Sequence, residues 1–150
     1  MEIGTALASL AAIIVSVTVL GVYLRSRDGR ITVTAPTGTV VDPAEIGLAR
    51  FADGAALVQF STATCARCPG VRRLLSALAA DEAGIVHVDV DLTHRVDLAS
   101  RFGIMQTPTT LVIASDGSIR ARIAGTPTLD AVREHLAALR TEQHVSSSRY

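Results

Sequence analysis

The 150-residue sequence predicts an α/β domain behind one N-terminal membrane-spanning helix, on three observations. Ile3 to Leu24 carries no charge. The apolar run AALVQF (55–60) precedes a stretch in which Val71, Leu74, Leu75 and Leu78 recur at i, i+3, i+4 and i+7, a buried strand followed by an amphipathic helix. Lastly, TTLVIAS and SIRARIA flank Asp116-Gly117, the signature of an antiparallel hairpin with a two-residue turn.

The anchor comes first. As a helix rising roughly 1.5 Å per residue, Ile3–Leu24 is about 33 Å long, enough for a hydrocarbon core of about 30 Å. A signal peptide would carry a basic n-region, a shorter apolar stretch and a small-x-small cleavage site. Here the n-region is Met1-Glu2 and the run ends in VYLRSRDGR. A buried core helix of such uniform apolarity would need more protein around it than this length supplies. Residues 1–24 are therefore read as a transmembrane anchor, contacting the membrane through residues 3–24. Arg25, Arg27 and Arg30 follow the span and no Lys or Arg precedes it. The positive-inside rule then makes this a single-pass protein of the cell membrane with its domain on the cytoplasmic side; the alternative is extracytoplasmic.

Residues 25–39 mix a short β-prone run with Thr, Pro and Gly and read as a juxtamembrane linker, with a first strand at Ile31–Thr34 or Thr39–Val41. The domain follows over residues 40–140. PAEIGLARFA (Pro43–Ala52) reads as a short helix with Pro in its first turn. After the strand AALVQF, a helix runs from about Ala66 to Ala80. IVHVDVD (Ile85–Asp91) alternates Val86, Val88 and Val90 with His87, Asp89 and Asp91, as a strand does. HRVDLASRF is a short helix closed by Gly103. The hairpin comes next, with Arg120 and Arg122 read as charges guarding a sheet edge. Thr126-Pro127 opens a last helix carrying Leu129, Val132, Leu136 and Leu139. Residues 141–150 read as a disordered polar tail.

Composition removes several functions. Fourteen basic residues, all Arg, balance fourteen acidic ones, so no field favours nucleic acid. Two cysteines cannot make the disulfide framework of a small secreted protein. Both, however, lie in STATCARCPG (61–70), Cys65 and Cys68, where the first buried strand hands over to its helix. That is where ligands and chemistry collect in an open α/β sheet. A cysteine at a helix N-terminus faces backbone N–H groups and the positive end of the macrodipole, which favour thiolate. Cys65 is thus the candidate attacking sulfur and Cys68, one turn deeper, the resolving one, with Arg67 between them as a thiolate-tuning charge.

Around this pair the sequence resembles the thioredoxin superfamily, over about residues 40 to 140. VQFSTATCARC matches the family's strand leading into Cys-x-x-Cys, FGIMQTPTTLVI the segment with its cis-proline, and IAG (123–125) its last strand and glycine. The resemblance implies a thioredoxin fold, a central mixed sheet flanked by helices, here preceded by one N-terminal transmembrane helix. It implies a cis bond at Thr107-Pro108, with Thr107 offering backbone hydrogen bonds to a substrate peptide. It further implies thiol–disulfide oxidoreductase activity on protein or low-molecular-weight thiol or disulfide partners, with no cofactor. Four features depart from the family. Thr64 replaces the Trp before the first cysteine, Ala66-Arg67 replace Gly-Pro between the two, and Pro69 follows the second. Gln59 replaces the buried Asp that relays a proton to the second cysteine; it cannot ionise, so resolution should be slower.

Other readings compete. Cys65 and Cys68 with His87 and His94 could suit zinc, although no second close-spaced ligand pair exists. A non-enzymatic thioredoxin-like module, a Cu(I) carrier or peptide dock, is the alternative to exchange catalysis. Asp89 is a candidate proton acceptor near Cys68. The site residues proposed are Cys65, Cys68, Thr107, Pro108 and Arg67, with no metal.

Overall fold

The computed structural model describes residues 2–25, 31–33, 40–51 and 53–147. α1 (Glu2–Arg25) is one helix long and apolar enough to cross a membrane. Its side chains from Gly4 to Tyr23 are exposed all round. The hydroxyls of Ser9, Ser16 and Thr18 donate to the carbonyls of Thr5, Ala12 and Ile14, at 2.9, 2.8 and 2.7 Å. These polar side chains are thus satisfied within the helix, without water.

The strands β1 (Ile31–Val33), β2 (Ala55–Ser61), β3 (Ile85–Asp91), β4 (Thr109–Ala114) and β5 (Ile119–Ala124) form one mixed sheet in the order β1-β5-β4-β2-β3. Only the β2–β3 pair is parallel. Every residue of β2 is buried, as its apolar run requires. One face is covered by α2 (Cys68–Asp81) and α4 (Leu129–Ser147), through Val71, Leu75, Leu78, Val132, Leu136 and Leu139 over Leu57, Val112 and Ile123. The other is covered by α3 (Val96–Arg101) and a 3₁₀ turn at Pro43–Ile46, through Ile46, Leu98 and Phe102 over Val58, Phe60 and Leu111. The expected class, a mixed sheet flanked by helices behind an apolar N-terminal helix, is what is seen.

The departures have local causes. The expected helix over Pro43–Ala52 is only the 3₁₀ turn, because Gly47 enters the left-handed region (φ 79°) and its N–H caps the carbonyls of Ala44 and Pro43. The hairpin loop has three residues, not two. Ala114 N–H donates to Ser118 O (2.9 Å), Gly117 supplies the left-handed residue (φ 82°), and Asp116 Oδ1 accepts from Ser118 N–H (2.9 Å). Arg120 and Arg122 do not guard an edge, since β1 covers β5. The pairings Val112↔Ala121 and Ile113↔Ile119 skip Arg120, which pairs with Glu142 on α4. Arg122 donates to the carbonyls of Phe102 and Gly103 at the end of α3. β1 falls inside the stretch expected as linker, whose residues 26–30 and 34–39 lie outside the described residues. The expected disordered tail is helical as far as Ser147, since no Gly or Pro interrupts α4.

The two chain ends that start β2 and β3 meet at Gly54 and Gly84, where Gly84 O accepts from the N–H groups of Gly54 and Ala55, both at 3.1 Å. A Cβ on Gly54 would lie 2.6 Å from that carbonyl oxygen, whereas one on Gly70 in α2 meets nothing within 4 Å. Gly54→Ala is therefore expected to destabilise the domain by about 1–3 kcal/mol. Gly70→Ala should stabilise it by up to about 1 kcal/mol. Denaturant unfolding of the two variants, compared at equal m-value, checks both signs.

Candidate redox site

β2, buried along its whole length, ends at Ser61 and releases the chain into the loop that carries the cysteines. Leu92 N–H donates to Ser61 O (2.8 Å) and Ala63 N–H to Thr93 Oγ1 (2.9 Å), so the β3–α3 loop braces the start of this turn. Cys65 N–H donates to Thr62 O (3.1 Å) and Cys68 N–H to Cys65 O (3.3 Å). α2 starts at Cys68, two residues later than expected. Cys65 therefore sits in a turn ahead of the helix, and Cys68 opens the helix instead of lying one turn inside it. Pro69 suits this start, because its missing N–H would have no partner in a first turn.

Cys65 and Cys68 form a disulfide, S–S 2.03 Å. They are not equivalent. Cys65 is half-buried, whereas Cys68 is 2% exposed. Arg67, between them, is exposed. The bond Thr107-Pro108 is cis, as the resemblance implies. Pro108 is buried and leads into β4, where Thr109 pairs with Phe60 of β2. Thr107 Oγ1 lies 3.3 Å from Thr62 Oγ1 in the cysteine turn. On the far side Pro108 O accepts from Gly125 N–H (2.8 Å). The fold thus gathers Cys65, Cys68, Arg67, Thr107 and Pro108 at one end of the sheet.

Beneath the pair lies a polar row that the sequence did not reveal. Gln59 is fully buried, and its Nε2 donates to Cys68 O (3.0 Å). In register with it stand Asp89 on β3 and Thr110 on β4, so the three side chains share the face under α2. Asp89 pairs with Arg72 of α2 through one carboxylate oxygen. Gln59 Oε1, Asp89 Oδ1 and Thr110 Oγ1 are each buried without a protein hydrogen-bond partner. Such atoms are usually satisfied by internal water. Asp89 is thus a row-mate of Gln59, and Thr110 is the member that sequence reasoning missed. Only strand pairing could have found it.

The ring of His87, two residues before Asp89, has Nδ1 2.9 Å from Ser76 Oγ, while Nε2 is buried without a partner. His94 is exposed in the loop after β3. Among the described residues, no three His, Cys, Asp or Glu side chains are grouped to hold a metal ion, so the two cysteines and two histidines are not assembled as a zinc set.

Residues 47–138 match the thioredoxin family, and the chain belongs to it. Its fold is shared with a thioredoxin variant from Halobacterium salinarum, 22% identical, with a TM-score of 0.52 over 58% of this chain and 75% of that one. It is shared also with thioredoxin f from spinach chloroplast, 21% identical, with a TM-score of 0.53 over 59% of this chain and 79% of that one. At such identities the likeness speaks for the fold alone. No curated protein sequence matches.

Burial pushes the pKa of His87 below the usual imidazole value; Asp89 opposes this and Arg72 adds to it. The unfolded chain then takes up a proton first as pH falls through about 6.5, while the folded ring stays neutral. Stability contributed by the neutral ring is present above that pH and is lost between it and the lower folded value. Denaturant midpoints measured from pH 7.5 down to 5 should fall, and His87→Gln should flatten the slope.

Proposed function

We propose that this protein is a membrane-anchored thiol–disulfide oxidoreductase in which Cys65 exchanges with the partner and Cys68 resolves. The observation that carries the reading is the unequal exposure of a bonded cysteine pair beside a cis-proline. A sulfur that meets partners must be reachable, and one that only closes the cycle need not be. In the oxidising direction for the domain, the Cys65 thiolate attacks a partner disulfide, giving a Cys65–partner bond and one partner thiolate. The Cys68 thiolate then attacks Cys65 Sγ, the partner leaves as a dithiol, and two electrons have moved to it. Reversing the steps oxidises the partner.

Cys68 must lose its proton to resolve, and Gln59, which donates to its backbone carbonyl, cannot accept one. The ionisable member of the polar row is Asp89, which Arg72 engages. Resolution is accordingly the slow step, and Thr107 holds the substrate backbone while it proceeds. Arg67 favours thiolate at Cys65 and so makes the disulfide more oxidising.

The anchor reading rests on the uniform exposure of α1: so many bare Val, Leu and Ile side chains find a suitable solvent only in lipid. The arginines after it favour the cytoplasmic side for the domain.

Cys68→Ser, reduced and offered a peptide disulfide, should accumulate a mixed disulfide on Cys65 that non-reducing mass spectrometry detects; Cys65→Ser should form none. No adduct on either variant would remove the exchange reading. In the protein with both cysteines, Gln59→Asp should shorten the life of that adduct by on the order of 10², the low range for a positioned base, with alkylation of Cys65 unchanged. For topology, an alkaline phosphatase fused after residue 150 should be inactive, and activity there would put the domain outside.

A further inference from the structure

The register of β1 fixes which end of the domain meets the anchor. β1 is antiparallel to β5, with Ile31 opposite Ile123 and Val33 opposite Ala121. β5 ends at Ala124, which pairs with Thr109, and Gly125 N–H reaches Pro108 O. The chain therefore enters the sheet at the end that carries the disulfide and the cis-proline, and runs from there toward the Asp116-Gly117 hairpin. Ile31, Ile123, Thr110, Gln59 and Asp89 make one continuous rung across the five strands. Gln59 is the residue bonded to the Cys68 carbonyl. The entry point is thus level with the floor of the redox site. It stands three strand spacings aside, about 14 Å.

The tether is short. α1 ends at Arg25 and β1 begins at Ile31, so six Cα steps separate them, about 20 Å at full extension. Ile31 cannot move farther than that from the end of the anchor; the redox site lies about 14 Å to its side on the same rung, whereas the hairpin lies a strand length of roughly 20 Å beyond that rung. The surface at this end is suited to a nearby partner. Met105 (95% exposed) and Val96 (73% exposed) are the most exposed large apolar side chains among the described residues outside α1. Met105 stands two residues before Thr107, and Val96 follows the loop that braces Ala63.

The geometry points to a redox site that faces the bilayer and serves a cysteine pair of an integral membrane protein held close to the lipid headgroups, not a freely diffusing thiol protein. This rests on the exchange reading above and adds the partner's location. A soluble partner would have to enter between domain and membrane; a cysteine pair at the membrane surface is already in reach. Confining both to one surface raises their effective concentration without any new contact.

The test uses the full chain in phosphatidylcholine vesicles containing a phospholipid with a nitroxide on its headgroup. A fluorophore is placed on Cys65 in Cys68→Ser, or on Ser115→Cys at the hairpin in a chain also carrying Cys65→Ser and Cys68→Ser. Quenching at position 65 should exceed that at position 115 several-fold, and a long Gly/Ser insert between Arg25 and Ile31 should abolish the difference. Equal quenching, stronger quenching at 115, or a difference that survives the insert would overturn the placement. In parallel, the oxidised wild-type chain is given vesicles with a thiol-headgroup phospholipid, or the same amount of soluble dithiothreitol. Reduction by the thiol lipid should be faster in the chain without the insert; equal rates would overturn the inference. No reduction by either thiol, with the quenching pattern intact, would instead strike the exchange reading and leave the placement standing.

Discussion

Burial of β2 on both faces is the constraint on which the rest of the molecule depends. A strand with no exposed side chain needs a layer above and a layer below. Its apolar residues on one face call for α2 and α4, and those on the other for α3 and the 3₁₀ turn. Its neighbours β3 and β4 satisfy its backbone along its length. Past Ser61, its last residue, the chain must therefore emerge at the top of the sheet, between the layers. There it makes the turn that holds Cys65 and Cys68, and there β4 starts from the cis-proline.

The same strand carries the one polar residue in its interior that the core has to accommodate. Gln59 replaces a side chain that could ionise with one that only donates and accepts hydrogen bonds. It ties the first residue of α2 to the sheet, and so fixes the deeper cysteine. Asp89 and Thr110, its partners in register, extend it into a buried polar row instead of leaving a single polar atom in hydrocarbon. Buried polar atoms are costly when left unpaired, so the unpartnered oxygens of the three residues call for internal water. Arg72 engages the acid of the row from α2, so that charge is held by the helix that Cys68 begins.

α1 and the domain obey opposite solvents. The domain hides its apolar side chains, and α1 presents them on every side while closing Ser and Thr hydroxyls onto its own carbonyls. β1 joins the two, three residues long and set on the free side of β5. Its pairing direction makes the chain enter the sheet at the end that carries the disulfide.

Much of this was legible in the sequence, because the signals are local. Uniform apolarity marked α1, a continuous apolar run the buried strand, the 3.6-residue stripe α2, and Cys-x-x-Cys at a strand-to-helix junction the disulfide. Boundaries were less legible: Gly47 cut a helix to one 3₁₀ turn, and the cysteine turn delayed α2 to Cys68, since both depend on backbone angles that composition does not fix. Arg120 and Arg122 looked like edge charges because the sequence alone does not say which strand lies outermost. The row of Asp89, Gln59 and Thr110, the unequal burial of the two cysteines, and the entry of β1 at the disulfide end were decided by tertiary structure alone. Each arises from strand pairing between residues far apart in the chain, and period and propensity carry no information about register across that distance.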